Sequence, residues 1–132
     1  MALLTLPAES TGLLANCTAS EVIGDLVYVF APFAGGQPTV ARVDPATITK
    51  MPAWGFIIDK PSATLCTLKI GGLIPFVGAS DGSNYFVGAD GRPTATPPAA
   101  TPGGMLLQRI GVGYGGGHVF FAPEGRLTRY VT

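Results

Sequence analysis

Apolar and polar residues alternate in short runs along this 132-residue chain, and most runs end close to glycine, proline or aspartate. That period of two, broken by turn formers, predicts strands. They are read at Leu13–Thr18, Leu26–Phe30, Thr39–Val43, Trp54–Asp59, Leu65–Ile70, Leu73–Val77, Asn84–Val87, Met105–Ile110, Val119–Ala122 and Leu127–Val131. Helical spacing is nearly absent. The best candidate, Ala19 to Val29, is interrupted by Gly24 and then becomes continuously apolar. Strands this short, at this spacing, predict an all-β chain: a compact β-sandwich or a partly closed β-barrel with Gly/Pro-rich turns. Residues 1–12 read as an N-terminal arm and residues 13–132 as a single β domain.

The connections are marked by their own chemistry. Gly35-Gly36-Gln37-Pro38 joins two strands, and Gly115-Gly116-Gly117 closes a final hairpin. Gly71-Gly72 predicts a tight reversal or a bulge within one bent strand. Asp81-Gly82 and Asp90-Gly91 are turns that favour positive φ. Asp44, followed by Pro45, can cap one helical turn reaching Lys50. The stretch Tyr85–Pro123 holds the clearest succession of strand, turn, Pro-rich loop, strand, Gly-rich turn and strand, and it is poor in reactive groups.

Two runs, Leu26–Phe30 and Val119–Phe121, are apolar on both faces. A sheet with one wet face alternates, so these runs need cover from elsewhere in the chain or from a neighbouring subunit. Composition points the same way. Apolar residues make up 47% of the chain and charged residues 12%, where about 25% charged is usual. Mean hydropathy is +0.40. No stretch is long and clean enough for a membrane helix, and MALLTLPAES lacks the basic start of a signal peptide. Seven Phe, four Tyr and one Trp argue against disorder. A chain that buries surface against other chains is the remaining expectation.

Eight basic residues balance eight acidic ones and are scattered, which leaves no electrostatic footprint for nucleic acid. Cys17 and Cys66 have no CxxC partner and no nearby histidine, so they read as small buried apolar side chains. Asn16-Cys17-Thr18 matches a glycosylation sequon. Gly111 to Gly116 fits GxGxxG, but a strand-like His118-Val119-Phe120-Phe121 follows instead of a helix, so it reads as a hairpin turn. His118, the only histidine, reads as a polar cap at a strand edge; nothing pairs it with a nucleophile. No catalytic, cofactor-binding or metal-binding set is expected.

What remains are candidate contact residues. Trp54 reads as a core or interface anchor, and Phe33 reads as an apolar side chain at a loop tip in Pro-Phe-Ala-Gly-Gly. Tyr130 is a weaker version of the same. Leu3, Leu4 and Leu6 make the arm apolar, and Pro97 and Pro98 stiffen an uncharged loop, Thr94–Gly104.

Val87-Gly88-Ala89-Asp90-Gly91, Thr94, Thr96-Pro97-Pro98, Gly103, Leu107-Gln108-Arg109-Ile110-Gly111-Val112 and Val119-Phe120-Phe121 together resemble a layout found in small β-rich virion proteins of tailed bacteriophages. Gly24–Val29 and Gly55–Ile58 fit the same layout upstream, so the resemblance spans about residues 24–123. It is a layout of turns and strands, carried by no reactive residue, and it occurs in capsid decoration (cement) proteins and in tail or fibre modules. A short chain with an apolar arm and neither fibre repeat nor heptad stem suits decoration. The resemblance then implies a homotrimer on the capsid surface of the virion, made in the host cytoplasm and bound to the major capsid protein, with no nucleic acid or membrane partner. A tail, fibre or baseplate module used in attachment or carbohydrate binding is the alternative.

Overall fold

The computed structural model describes residues 12–34 and 36–132. Among them run twelve strands: β1 (Gly12–Asn16), β2 (Leu26–Ala34), β3 (Gln37–Arg42), β4 (Gly55–Ser62), β5 (Leu65–Lys69), β6 (Gly72–Pro75), β7 (Asn84–Val87), β8 (Pro93–Thr94), β9 (Met105–Leu107), β10 (Arg109–Gly113), β11 (His118–Phe121) and β12 (Thr128–Tyr130). The fold is all-β. The first five strands close a barrel in the order β1-β3-β2-β4-β5, and a second sheet runs β6-β11-β10-β7-β8. β9 and β12 form a two-stranded ribbon.

Closure rests on β1. It pairs antiparallel with β5 over its whole length and meets β3 in parallel at Asn16, opposite Thr39. The Asn16 amide donates to the Gln37 carbonyl at 3.3 Å and to the Thr39 hydroxyl at 3.4 Å. The sequon asparagine is therefore engaged at the barrel seam. Alternate residues fill the barrel: Ala15, Cys17, Val27, Val40, Ile57, Cys66 and Leu68, with Leu13 against them.

A second core lies between the barrel and the other sheet. Ile74, Tyr85, Val87, Ile110, Val119 and Phe121 come from the sheet, and Leu26 and Phe56 from the barrel wall. Phe56 and Phe121 meet as tilted rings 6.4 Å apart. Burying one such side chain is worth about 1.5–3 kcal/mol. β2 and β4 thus present one face to each core: Val27 and Ile57 point into the barrel, Leu26 and Phe56 out of it. That is how the start of the two-sided run Leu26–Phe30 is covered within the chain.

Several connections differ from expectation. Gly71-Gly72 makes neither a hairpin nor a bulge within one strand. β5 pairs with β1 and β4, whereas β6 pairs with β11, so the step carries the chain from barrel to sheet. The single strand expected at Met105–Ile110 is two, broken at Gln108. β2 runs on to Ala34, which puts Phe33 inside a strand and not at a loop tip. Asp44 does not cap a helix. Its carboxylate accepts the Ala46 N–H at 3.0 Å and the Thr47 hydroxyl at 3.1 Å, and only a 3-10 turn, Ile48–Lys50, follows with Thr47 at its start.

Other turns match their sequence chemistry. β10 and β11 form a hairpin across Gly115–Gly117, so the GxGxxG residues lie in a strand and a turn. Asp81 accepts the Gly116 N–H and Asp90 the Arg92 N–H, each as a turn residue. Gly111 is required by close approach: a Cβ there would lie 2.2 Å from the Phe120 carbonyl oxygen.

Candidate docking surfaces

The buried polar groups are the first place to look for chemistry. Asp25 is fully buried at the start of β2. Its carboxylate accepts Arg42 Nε at 2.9 Å, Arg92 Nε at 3.2 Å and the Val22 N–H at 2.9 Å. Arg42 also donates to the Ser20 carbonyl. Gly91 makes room for this: at φ +79°, a Cβ on it would sit 2.5 Å from Arg42 Cγ. Nearby, Glu21 accepts from the Thr18 N–H and hydroxyl, both at 2.8 Å, and Lys60 donates to the Thr18 and Glu21 carbonyls. Burial alone would raise the Glu21 carboxyl, but the hydrogen bonds from Thr18 and Ser20 outweigh it and hold it below its ordinary 4.5.

Glu21, Arg42, Asp44, Lys50 and Asp90 line an open polar hollow of about 440 Å³ with Tyr28 on its wall. Each of its carboxylates is occupied with neighbouring backbone or hydroxyl groups. The cluster fastens loops to the barrel. Among the described residues no three His, Cys, Asp or Glu side chains converge.

Tyr28 also borders an apolar groove of about 270 Å³ with Val29, Met51, Pro52 and Trp54. Trp54 is 36% exposed, and its backbone N–H donates to the Val27 carbonyl at 2.7 Å. Phe30 stands 6.0 Å from Tyr28 and is 53% exposed. This corner of the barrel therefore carries three aromatic rings at its surface, next to the polar hollow. A second apolar face lies on the outside of the β6-β11-β10 sheet, where Leu73, Val112, Gly113, Tyr114 and Phe120 surround a shallow hollow of about 540 Å³.

The residues singled out in the sequence fall in different places. Leu3, Leu4 and Leu6 lie outside the described residues. Phe33 is on β2, and Trp54 is on the aromatic groove. Pro97, Pro98 and Tyr130 come together: all three are half-buried, and the Tyr130 hydroxyl donates to the Pro98 carbonyl. Burial raises the Tyr130 phenol above its ordinary 10.0. His118 is exposed at the start of β11. Cys17 and Cys66 are buried free thiols inside the barrel.

Sequence reasoning missed the Asp25 centre, because its partners Arg42 and Arg92 lie 17 and 67 positions away. It had a signal for Phe30 and Phe120, the outward members of the two-sided runs. Comparison with known proteins adds no relative: no family model, no curated protein and no solved structure matches the chain.

Proposed function

We propose that the chain is a structural virion protein that decorates a bacteriophage capsid, bridging neighbouring capsomers without catalysis. The observation that carries the reading is the pair of apolar outer faces, the Tyr28–Phe30–Trp54 corner of the barrel and the Leu73–Phe120–Val112 face of the sheet. Contiguous exposed apolar surface marks contact with other macromolecules. The layout of strands and turns over residues 24–123 resembles that of phage virion proteins, and it supplies the major capsid protein as partner and a homotrimer as the working assembly. Trp54 and Phe30 are the proposed anchors on the shell, since large rings at a partly desolvated surface carry most of an interface's energy.

A bridging protein acts by linkage. It binds the assembled shell and not its separated parts, so each bound copy favours the assembled state by RT ln(1 + [L]/Kd). The test is co-sedimentation of the purified chain with empty mature shells, together with the temperature at which the shells rupture. Binding with a raised rupture temperature is expected; a chain that stays in the supernatant overturns the reading.

The aromatic corner beside a polar hollow favours one second reading. Sugar rings stack on Trp and Tyr while neighbouring polar groups take their hydroxyls, so a tail or fibre module that binds carbohydrate is the alternative. Glycan binding without shell binding would select it.

A further inference from the structure

Cys17 and Cys66 share the inside of the barrel. Both are free thiols in the cluster that holds Val27, Ile57 and Leu68. Cys66 stands opposite Ala15 in the β1–β5 ladder, and the Cys17 N–H donates to the Thr64 carbonyl at 3.0 Å. The two cysteines are therefore diagonal neighbours on one face of two adjacent strands. Diagonal side chains in a flat, regular ladder stand too far apart to bond. Two features draw this pair in. Strands rolled into a barrel twist and turn their inner side chains toward one another. β1 also ends at Asn16, so Cys17 lies one residue past the ladder. The sulfurs feel each other as a result: burial first, and then Cys17, raise the Cys66 thiol to about 12.

The pair sits where the barrel is closed by least. β1 meets β3 through one register pair, Asn16 with Thr39, and Cys17 is the next residue. Beyond it, the Thr18 carbonyl accepts Lys60, and the Thr18 N–H and hydroxyl hold Glu21. A covalent bond from Cys17 to β5 would fix the end of β1 at the point where the chain leaves the seam. Neither sulfur has a strong partner that competes for it. Cys66 Sγ reaches the Ala15 carbonyl at 3.7 Å, and Cys17 Sγ the Ala63 carbonyl at 4.0 Å.

We propose that Cys17 and Cys66 are a reversible redox pair that closes to a disulfide across β1 and β5 and locks the barrel seam. The inference goes beyond the decoration reading and does not depend on what the chain binds. The oxidant is a low-molecular-weight disulfide. Cys17, 7% exposed against 0% for Cys66, reacts first. Its thiolate attacks one sulfur of the reagent, a mixed disulfide forms, and the other sulfur leaves as a thiolate. Cys66 then attacks the Cys17 sulfur, the mixed disulfide breaks, and the second reagent sulfur leaves. The two cysteines give up two electrons and two protons, and the reagent takes both and ends as two thiols. Because both sulfurs are buried, the first step waits for the end of β1 to open, so exchange in the native state is slow. An excess of thiol reverses both steps.

The experiment brings the reduced full chain to equilibrium with glutathione disulfide and glutathione, in native buffer and in denaturing urea. Samples are quenched in acid and weighed by mass spectrometry. The expected native product is a single chain lighter by two hydrogens, with Cys17 and Cys66 joined in its peptide map. Its equilibrium constant should exceed that of the unfolded chain by at least about tenfold. The urea midpoint of the oxidised chain should lie above that of the reduced chain and return on addition of thiol. Cys17→Ser and Cys66→Ser should show no such redox-dependent shift; if Cys66→Ser does not fold, Cys17→Ser carries the control. An equilibrium constant no larger than that of the unfolded chain overturns the proposal, because the fold would then not favour the bond. So does a native chain that stays reduced, stops at the mixed disulfide or links to a second copy. A midpoint that oxidation leaves unchanged or lowers also overturns it.

Discussion

The Gln108 side chain holds both backbone groups of Ala53: its Oε1 accepts the Ala53 N–H at 2.7 Å, and its Nε2 donates to the Ala53 carbonyl at 3.0 Å. The same Nε2 donates to the Glu124 carbonyl at 2.7 Å. Gln108 is 1% exposed and occupies the gap between β9 and β10. One side chain thus ties the segment before β4 to the sheet, next to Trp54. Replacing it with leucine keeps the volume and strands three backbone groups. Each buried group left unpaired costs about 1–3 kcal/mol, so Gln108→Leu should lose about 3 kcal/mol in urea denaturation. A loss below about 0.5 kcal/mol would show that the latch contributes nothing.

Asp25 is the anion between two arginines, both of which reach solvent on their far sides, with side chains 38% and 50% exposed. Breaking a buried pair by removing one partner costs about 3–5 kcal/mol. Here Arg42 and Arg92 can rehydrate, so Asp25→Ala should cost about 2–4 kcal/mol. Asp25→Asn, which keeps the shape, should cost less. Equal losses for the two variants would mean that charge, and not shape, is what Asp25 supplies.

Glu21 makes acid stability depend on pH in a defined direction. Its folded carboxyl lies below the ordinary 4.5 because the Thr18 and Ser20 hydrogen bonds outweigh the effect of burial. A lowered folded value stabilises the fold above the unfolded value, and that contribution is lost as pH falls through the folded one. Denaturation midpoints of the wild type should therefore fall on acidification from about 4.5 downward, and Glu21→Gln should flatten that limb. An unchanged slope in the variant would remove Glu21 from the account.

The barrel thiols give the alkaline counterpart. Burial first, and then the nearness of Cys17, push the Cys66 thiol from 9.0 to about 12. A thiol that stays protonated in the fold but ionises in the unfolded chain stabilises fully below 9.0, and its contribution drains away from there to about 12. Stability of the wild type should therefore fall more steeply than that of Cys66→Ala over this range. At neutral pH both thiols should resist an aromatic disulfide reagent until urea unfolds the barrel. Fast labelling of the native protein would contradict the burial.

The strands were readable because an outward residue follows each inward one, as in His118-Val119-Phe120-Phe121, where Val119 and Phe121 are buried and the other two exposed. Partner choice was not readable. Gly71-Gly72 has the composition of a hairpin turn, and only the packing of Ile74 on the second core shows that β6 belongs to the other sheet. Gln108 sits beside Arg109 in an otherwise apolar run, and its buried partner Ala53 lies 55 positions away. β8 is two residues long and begins with proline, too short to give a period. For the docking surfaces, the two-sided runs announced surplus apolar faces, but which half the chain covers itself depended on how the barrel closes.

β2 and β4 each belong to both cores, through Val27 with Leu26 and Ile57 with Phe56. Neither half can therefore melt while the other stays intact, because the wall of one is the floor of the other. A protein clamped at its aromatic corner and pulled at its sheet face would carry the strain through these two strands. It should yield all at once, in a single rupture, instead of peeling sheet by sheet.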